Sequence, residues 1–161
     1  MFAALVFMQQ AATAHLDYSW LQYCAQTKDP GCIAETITPF DLGIINREIT
    51  EGIITREDDG YYDPWIPFPP DRMGDCDDRA ASVRQALLAL GVGPKAIHFE
   101  TGLVKEPDGR ELGHIVVVVR LNGKDWVLDS KTPDRVYAPD KRPYEWKPIA
   151  AESPNVLWTS N

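Results

Sequence analysis

Basic residues are scarce: Lys and Arg total 16 against 24 Asp and Glu, for a formal charge of -8. Binding to a phosphate backbone needs clustered cations, so a general nucleic-acid binder is excluded. The chain lacks the Rossmann and Walker glycine patterns, which removes the phosphate-cradling loops of nucleotide enzymes. No apolar run is long enough to cross a bilayer. No Cys/His pair has ligand spacing, which disfavours a zinc site. Internal repeats are absent too, so a repeat array is not expected. Cysteine is rare, at three residues.

What is present describes an ordinary globular chain. It has 161 residues, 44% of them hydrophobic and 25% charged, enough to bury one core without staples. Residues 15–161 are expected to form a single domain, with residues 1–14 a signal or disordered start. Phe2 to Met8 is a short apolar run, and Ala12-Thr13-Ala14 has the small-x-small form of a signal-peptidase site. The segment before the run carries no Lys or Arg, so a first strand or helix competes with that reading. A signal implies a periplasmic or secreted protein; without one the chain is cytoplasmic.

Cys24 and Cys32 flank a segment containing Pro30-Gly31, a turn pair that could bring them together. A disulfide there leaves Cys76 as the odd cysteine, as in a secreted protein with a reactive thiol. Three reduced thiols in a cytosolic protein is the competing reading.

Residues 15–37 read as irregular structure around those cysteines, with Tyr18, Trp20 and Tyr23 packed on the body. Thr38-Pro39 starts a helix, with Thr as cap and Pro at the first helical position. Leu42, Ile45, Ile49 and Ile53 keep one face of it apolar. Residues 57–74 hold Pro64, Pro67, Pro69 and Pro70 among Tyr61, Tyr62, Trp65 and Phe68. Proline fixes φ and removes donors, so this is a stiff loop, either a connector or a wall of a cleft. A second helix follows, with Ala80, Val83, Leu87 and Leu90 at helical spacing and Gly91 as its stop.

The pattern then changes to strands. Residues 96–104 form one, and Glu106-Pro107-Asp108-Gly109 a turn. His114 to Leu121 is too β-branched for anything but a strand, and Asn122-Gly123 signals a tight hairpin returning through Asp125 to Asp129. A last strand lies around Tyr144-Glu145-Trp146, before a polar tail. Helices followed by mostly antiparallel strands argue an α+β fold.

The chemistry centres on Gly74-Asp75-Cys76-Asp77-Asp78-Arg79-Ala80. Asp75 is a plausible N-cap, which puts Cys76 at the helix start on the face that packs inward. Helix N-termini favour a thiolate through unpaired N–H groups and the dipole, although a buried structural cysteine would look the same. The hairpin supplies a test. With a two-residue turn, Leu121 faces Lys124, His114 falls opposite Lys131, and Asp129 becomes a diagonal neighbour of His114 on one face. Imidazole beside a helix-start cysteine can take its proton, and a carboxylate fixes the ring tautomer. Taken singly, His114 could be a strand-start histidine and Asp129 a strand-end cap. Of the other histidines, His15 lies in the irregular start, and His98 reads as a packing residue.

Together, Ile45-Asn46, Asp63-Pro64-Trp65-Ile66-Pro67, the Cys76 motif, Gly113-His114 and Trp126-Val127-Leu128-Asp129 resemble the bacterial transglutaminase-like cysteine proteinases. The resemblance implies a papain-like or transglutaminase-like α+β fold, with the cysteine helix packed on an antiparallel sheet carrying His and Asp. It implies a Cys76–His114–Asp129 triad that hydrolyses peptide bonds of a protein or peptide substrate, usually in the periplasm, with room for a regulatory protein partner. Acyl transfer to an amine, or a non-catalytic peptide-binding module of the same fold, are the rival functions. The family's LapG-type branch cleaves surface adhesins and needs calcium beside the cysteine; by match to the motif, Asp75 and Asp77 are the ligand positions. There is a physical motive for a metal. The aspartates crowd negative charge around Cys76 and oppose its thiolate, which a divalent cation would offset. Helix capping, with Arg79 neutralising one aspartate, is the plainer account. Arg79 stands where the family commonly has tyrosine, and the adhesin specificity is not carried over.

Overall fold

The computed structural model describes residues 16–56 and 64–150. The expected signal segment, His15, Tyr61, Tyr62 and the tail after residue 150 lie outside the described residues.

Three helices come first. α1 spans Tyr18–Thr27, capped by Asp17, whose carboxylate accepts from the Trp20 N–H. This corrects the reading of residues 15–37 as irregular. Leu21 and Cys24 share its buried face with Tyr18, whereas Tyr23 stays exposed, stacked on Trp20. The three-residue spacing of these positions is short enough to escape a pattern search. Cys24 and Cys32 are bonded, fastening the end of α1 to the following turn.

α2 covers Pro39–Gly52 and opens on a capping box between Thr38 and Asp41. Leu42, Ile45, Ile49 and Ile53 are all buried, as their spacing requires. Two short parallel strands, β1 (Ile54–Thr55) and β2 (Met73–Gly74), bracket the proline-rich loop. α3 then runs Cys76–Ala89, and Ala80, Val83, Leu87 and Leu90 face the core.

The sheet is antiparallel, in the order β5-β4-β3-β6, from β3 (Ile97–Lys105), β4 (Glu111–Leu121), β5 (Lys124–Leu128) and β6 (Trp146–Ala150). Asn122 and Gly123 both take positive φ, the mirror-image turn that matches strand twist. Leu121 pairs with Lys124 and Val117 with Leu128, the register that the two-residue turn dictates. The last strand begins at Trp146, later than its sequence suggests, because Tyr144 turns inward to another task.

The continuous apolar run of β4 follows from burial on both faces. Ile115, Val117 and Val119 join the helices in the main core, while Val116 and Val118 pack with Val127 and Tyr137 on the other side. Helices on one face of an antiparallel sheet make this an α+β fold. Among the described residues no helix is long and apolar enough to cross a membrane.

Candidate active site

Cys76 is the first residue of α3. Asp75 caps the helix, its Oδ1 accepting from the Asp77 N–H at 3.2 Å, as its position in the sequence suggests. Cys76 is the unbonded cysteine among the described residues and lines a cleft of about 640 Å³ with Trp65, His114 and Lys131. The Ile115 N–H is directed at its sulfur and favours the thiolate, so α3 meets β4 one residue from His114. Burial first, and then the Asp75 and Asp77 carboxylates, push the thiol up to about 12. At neutral pH Cys76 in this environment is a thiol.

The hairpin brings His114 and Asp129 together. β5 ends at Leu128, and the chain turns so that Asp129 Oδ1 lies 2.7 Å from His114 Nε2. A carboxylate acceptor puts the ring proton on Nε2 and leaves Nδ1 as the basic nitrogen. Asp129 is only 1% exposed, which by itself would raise its pKa. Hydrogen bonds from His114, Tyr144 and Tyr137 outweigh that burial and hold the carboxyl below its usual value. The Lys131 N–H adds a bond to Oδ1 at 2.8 Å, and the Tyr137 hydroxyl reaches Oδ2 at 2.7 Å, beside the Tyr144 hydroxyl. Asn46, from α2, donates to the Asp129 carbonyl at 3.1 Å and so holds the turn from below.

Tyr137 and Tyr144 are the residues that sequence reasoning missed. They lie in the irregular chain after β5, where no periodicity points at Asp129. Burial pushes the Tyr137 hydroxyl up to about 12, and burial with the adjacent Asp129 raises Tyr144 further, so both stay protonated donors. Trp146 closes the same side. Its ring meets His114 edge-on at 6.4 Å and lies over Gly102, where a Cβ would come within 2.6 Å of the indole.

The motif aspartates divide into two kinds. Asp78 is structural: Oδ1 accepts from the Ile66 N–H at 2.7 Å, pinning the proline-rich loop to α3. Ser82 helps by accepting from the Phe68 N–H at 2.7 Å, which secures a residue with φ +50. Gly74 leaves the room, since a Cβ there would sit 2.3 Å from Asp78 Oδ2. Residues 64–72 are therefore not a free connector, and Trp65 forms part of the cleft wall, lodged edge-on against Phe99 at 5.4 Å.

Asp75 and Asp77 instead face Cys76, and each of the three presents a ligand atom within 4.8 Å of the others. Two carboxylates are hard oxygen donors of the kind calcium or magnesium takes, and Asp75 keeps Oδ2 uncommitted by its cap. Arg79 acts on Asp75 and Asp78 through its charge and not through a direct ion pair. Its guanidinium donates to the Ile53 carbonyl at 2.7 Å and the Thr55 hydroxyl at 2.9 Å, tying α3 to the α2–β1 junction. His98 is a half-exposed partner of Glu100 at 3.6 Å, away from the cleft lining.

Helices packed on one face of an antiparallel sheet, with a helix-start cysteine and a strand histidine lining one cleft, are arranged as in a transglutaminase-like fold, and solved structures agree. Legionella pneumophila LapG in a calcium-bound form matches with a TM-score of 0.58 at 18% identity, over 87% of this chain and 75% of that one. An EGTA-treated form of the same protein matches with a TM-score of 0.56 at 19% identity, over 83% of this chain and 80% of that one. Sequence comparison goes further: the family described as bacterial transglutaminase-like cysteine proteinase matches residues 10–160. The chain belongs to that family and is a cysteine proteinase of the transglutaminase-like type, so a protein is its class of substrate. A comparison with curated proteins gives no match.

Proposed function

We propose that the chain hydrolyses peptide bonds through an acyl-enzyme on Cys76, with His114 as general base and then acid, and Asp129 as its orienter. One observation carries this reading: His114 Nε2 is 2.7 Å from a buried carboxylate, while the ring lines the cleft that holds the helix-start thiol. Sγ attacks the scissile carbonyl as its proton passes to His114 Nδ1. The tetrahedral oxyanion is met by the Cys76 N–H, since the cap already uses the Asp77 N–H. Its collapse breaks the C–N bond, and the proton on His114 leaves with the amine. Water, deprotonated by the same ring, then releases the acid and restores the thiol. Throughout, Asp129 keeps the tautomer and supports the imidazolium.

Asp75 and Asp77 would hold calcium in this reading, and its positive charge would offset the carboxylate repulsion that, together with burial, keeps Cys76 protonated. The calcium-bound and EGTA-treated forms of LapG support that choice of ion. The Cys24–Cys32 bond suits an oxidising compartment, so the reading includes export to the periplasm or beyond, with residues 15–161 as one peptidase domain.

The test is Cys76→Ala, assayed on unfolded casein with calcium present. Turnover is expected to fall by a factor on the order of 10⁴ or more with the melting temperature kept. Cleavage at the wild-type rate would remove Cys76 from the chemistry.

A further inference from the structure

The two strands of the central hairpin differ in length, and the difference opens an edge beside Cys76. β4 runs Glu111–Leu121, but β5 stops at Leu128, opposite Val117. Among the described residues, 111–116 of β4 therefore have β3 on one side and no strand on the other.

The hairpin also decides which backbone groups face that open side. Residues flanking a two-residue turn exchange both hydrogen bonds, and the pattern then alternates along an antiparallel pair. Leu121 flanks the turn, so the odd-numbered residues of β4 direct N–H and C=O toward the β5 side. Two contacts obey this alternation. The Ile115 N–H is directed at the Cys76 sulfur, and on β5 the outward Val127 N–H reaches the Tyr137 carbonyl at 2.7 Å. The next odd residue is Gly113, whose N–H and C=O thus face the cleft that it lines.

Nothing among the described residues calls for a glycine at Gly113. Its backbone is outside the left-handed region, and an added Cβ would meet no heavy atom within 4 Å. A glycine inside a strand costs about 0.5–1 kcal/mol relative to alanine, and one without an internal reason marks a place where another backbone comes close. The cleft beside it is apolar along Leu112, which is 45% exposed, and Ile149, which is 59% exposed.

We infer that the substrate binds as an added strand: an extended peptide pairs with the Gly113 N–H and C=O on the open edge of β4, delivering its neighbouring carbonyl to Cys76. Main-chain pairing supplies the grip, so the substrate class is an extended, unfolded or linker segment and not a folded surface. This rests on Cys76 being the nucleophile, as proposed above.

The probe is acetyl-trialanyl chloromethyl ketone, which alkylates a cleft thiol with loss of chloride and carries only backbone amides for recognition. Its rate on the full chain with calcium is measured relative to iodoacetamide, which needs no strand pairing. Each amide is N-methylated in turn, and Gly113→Ala and Gly113→Val are compared with wild type, with melting temperatures as the check on folding. N-methylation of at least one amide is expected to slow relative inactivation about tenfold, and Gly113→Val to slow it by at least as much as Gly113→Ala. If the ketone reacts quickly at Cys76 but ignores both N-methylation and the Gly113 variants, the added strand is overturned and the nucleophile stands. A ketone no faster at Cys76 than iodoacetamide overturns the nucleophile and the strand together.

Discussion

His114, the Lys131 N–H, Tyr137 and Tyr144 converge on the Asp129 carboxylate, whereas Asp75 and Asp77 flank the Cys76 thiol. Both acids are withdrawn from water, and burial works against the anion of each. Asp129 nevertheless stays below its usual pKa because it is surrounded by donors. Cys76 rises to about 12, because its one cross-element donor, the Ile115 N–H, is opposed by two carboxylates. The contrast shows a site prepared on one side only. The protein's own hydrogen bonds hold the Asp129 carboxylate in its charged state, while burial and two neighbouring carboxylates hold Cys76 as a thiol.

The hardest blow to this contrast would fall on its finished side. Asp129→Asn keeps the shape but offers His114 Nε2 no fixed tautomer, and kcat/KM should drop by roughly 10³–10⁴. The same variant has a signature in stability. The depressed pKa of Asp129 gives stability present above about pH 4, lost as the pH falls through the folded value. Acid unfolding of Asp129→Asn should accordingly be shallower than wild type, and identical curves would mean that the donors around Asp129 do not hold its charge.

Next in size is removal of the calcium proposed for the unfinished side. Treatment with EGTA should cut peptide hydrolysis at least tenfold and lower the melting temperature by roughly 5–10 °C, reversibly on adding calcium. An unchanged rate and melting curve would leave Asp75 and Asp77 without a cation. A finer probe is Asp77→Asn with EGTA present. Losing one negative neighbour should speed iodoacetamide labelling of Cys76 about tenfold at fixed pH, although hydrolysis with calcium falls. Slower labelling would contradict the electrostatic account of the raised thiol.

The smallest effect sharpens the Asp129 side. Tyr144→Phe deletes one donor among several, costing about 1 kcal/mol of stability and a few-fold in kcat/KM. A loss of that size, with the acid limb of the kcat/KM profile moved to higher pH, would show the tyrosine acting through the carboxylate. A loss in stability alone would make it packing.

Much of this was local and therefore legible. Asp75 caps α3 because an aspartate before a helix start accepts from the backbone two residues on. The Asn122-Gly123 turn ties Leu121 to Lys124, and from that single pairing His114 and Asp129 fall on one face. The Thr38-Pro39 start of α2 and the buried stripe of α3 are likewise written in spacing. α1 escaped because its buried positions are few, and the late start of β6 because Tyr144 is drawn to Asp129.

The sequence by itself thus determined the fold class, the position of Cys76 at a helix start, and the register that pairs His114 with Asp129. Each depends on residues near one another in the chain or on an alternation counted from one turn. Only the tertiary structure decided that Asp78 anchors the proline-rich loop, that Asn46 supports the Asp129 turn, and that Tyr137 and Tyr144 hold its carboxylate. It also decided that β5 stops short and leaves the edge at Gly113 open. Those contacts join segments far apart or lacking any period, and geometry, not pattern, brings them together.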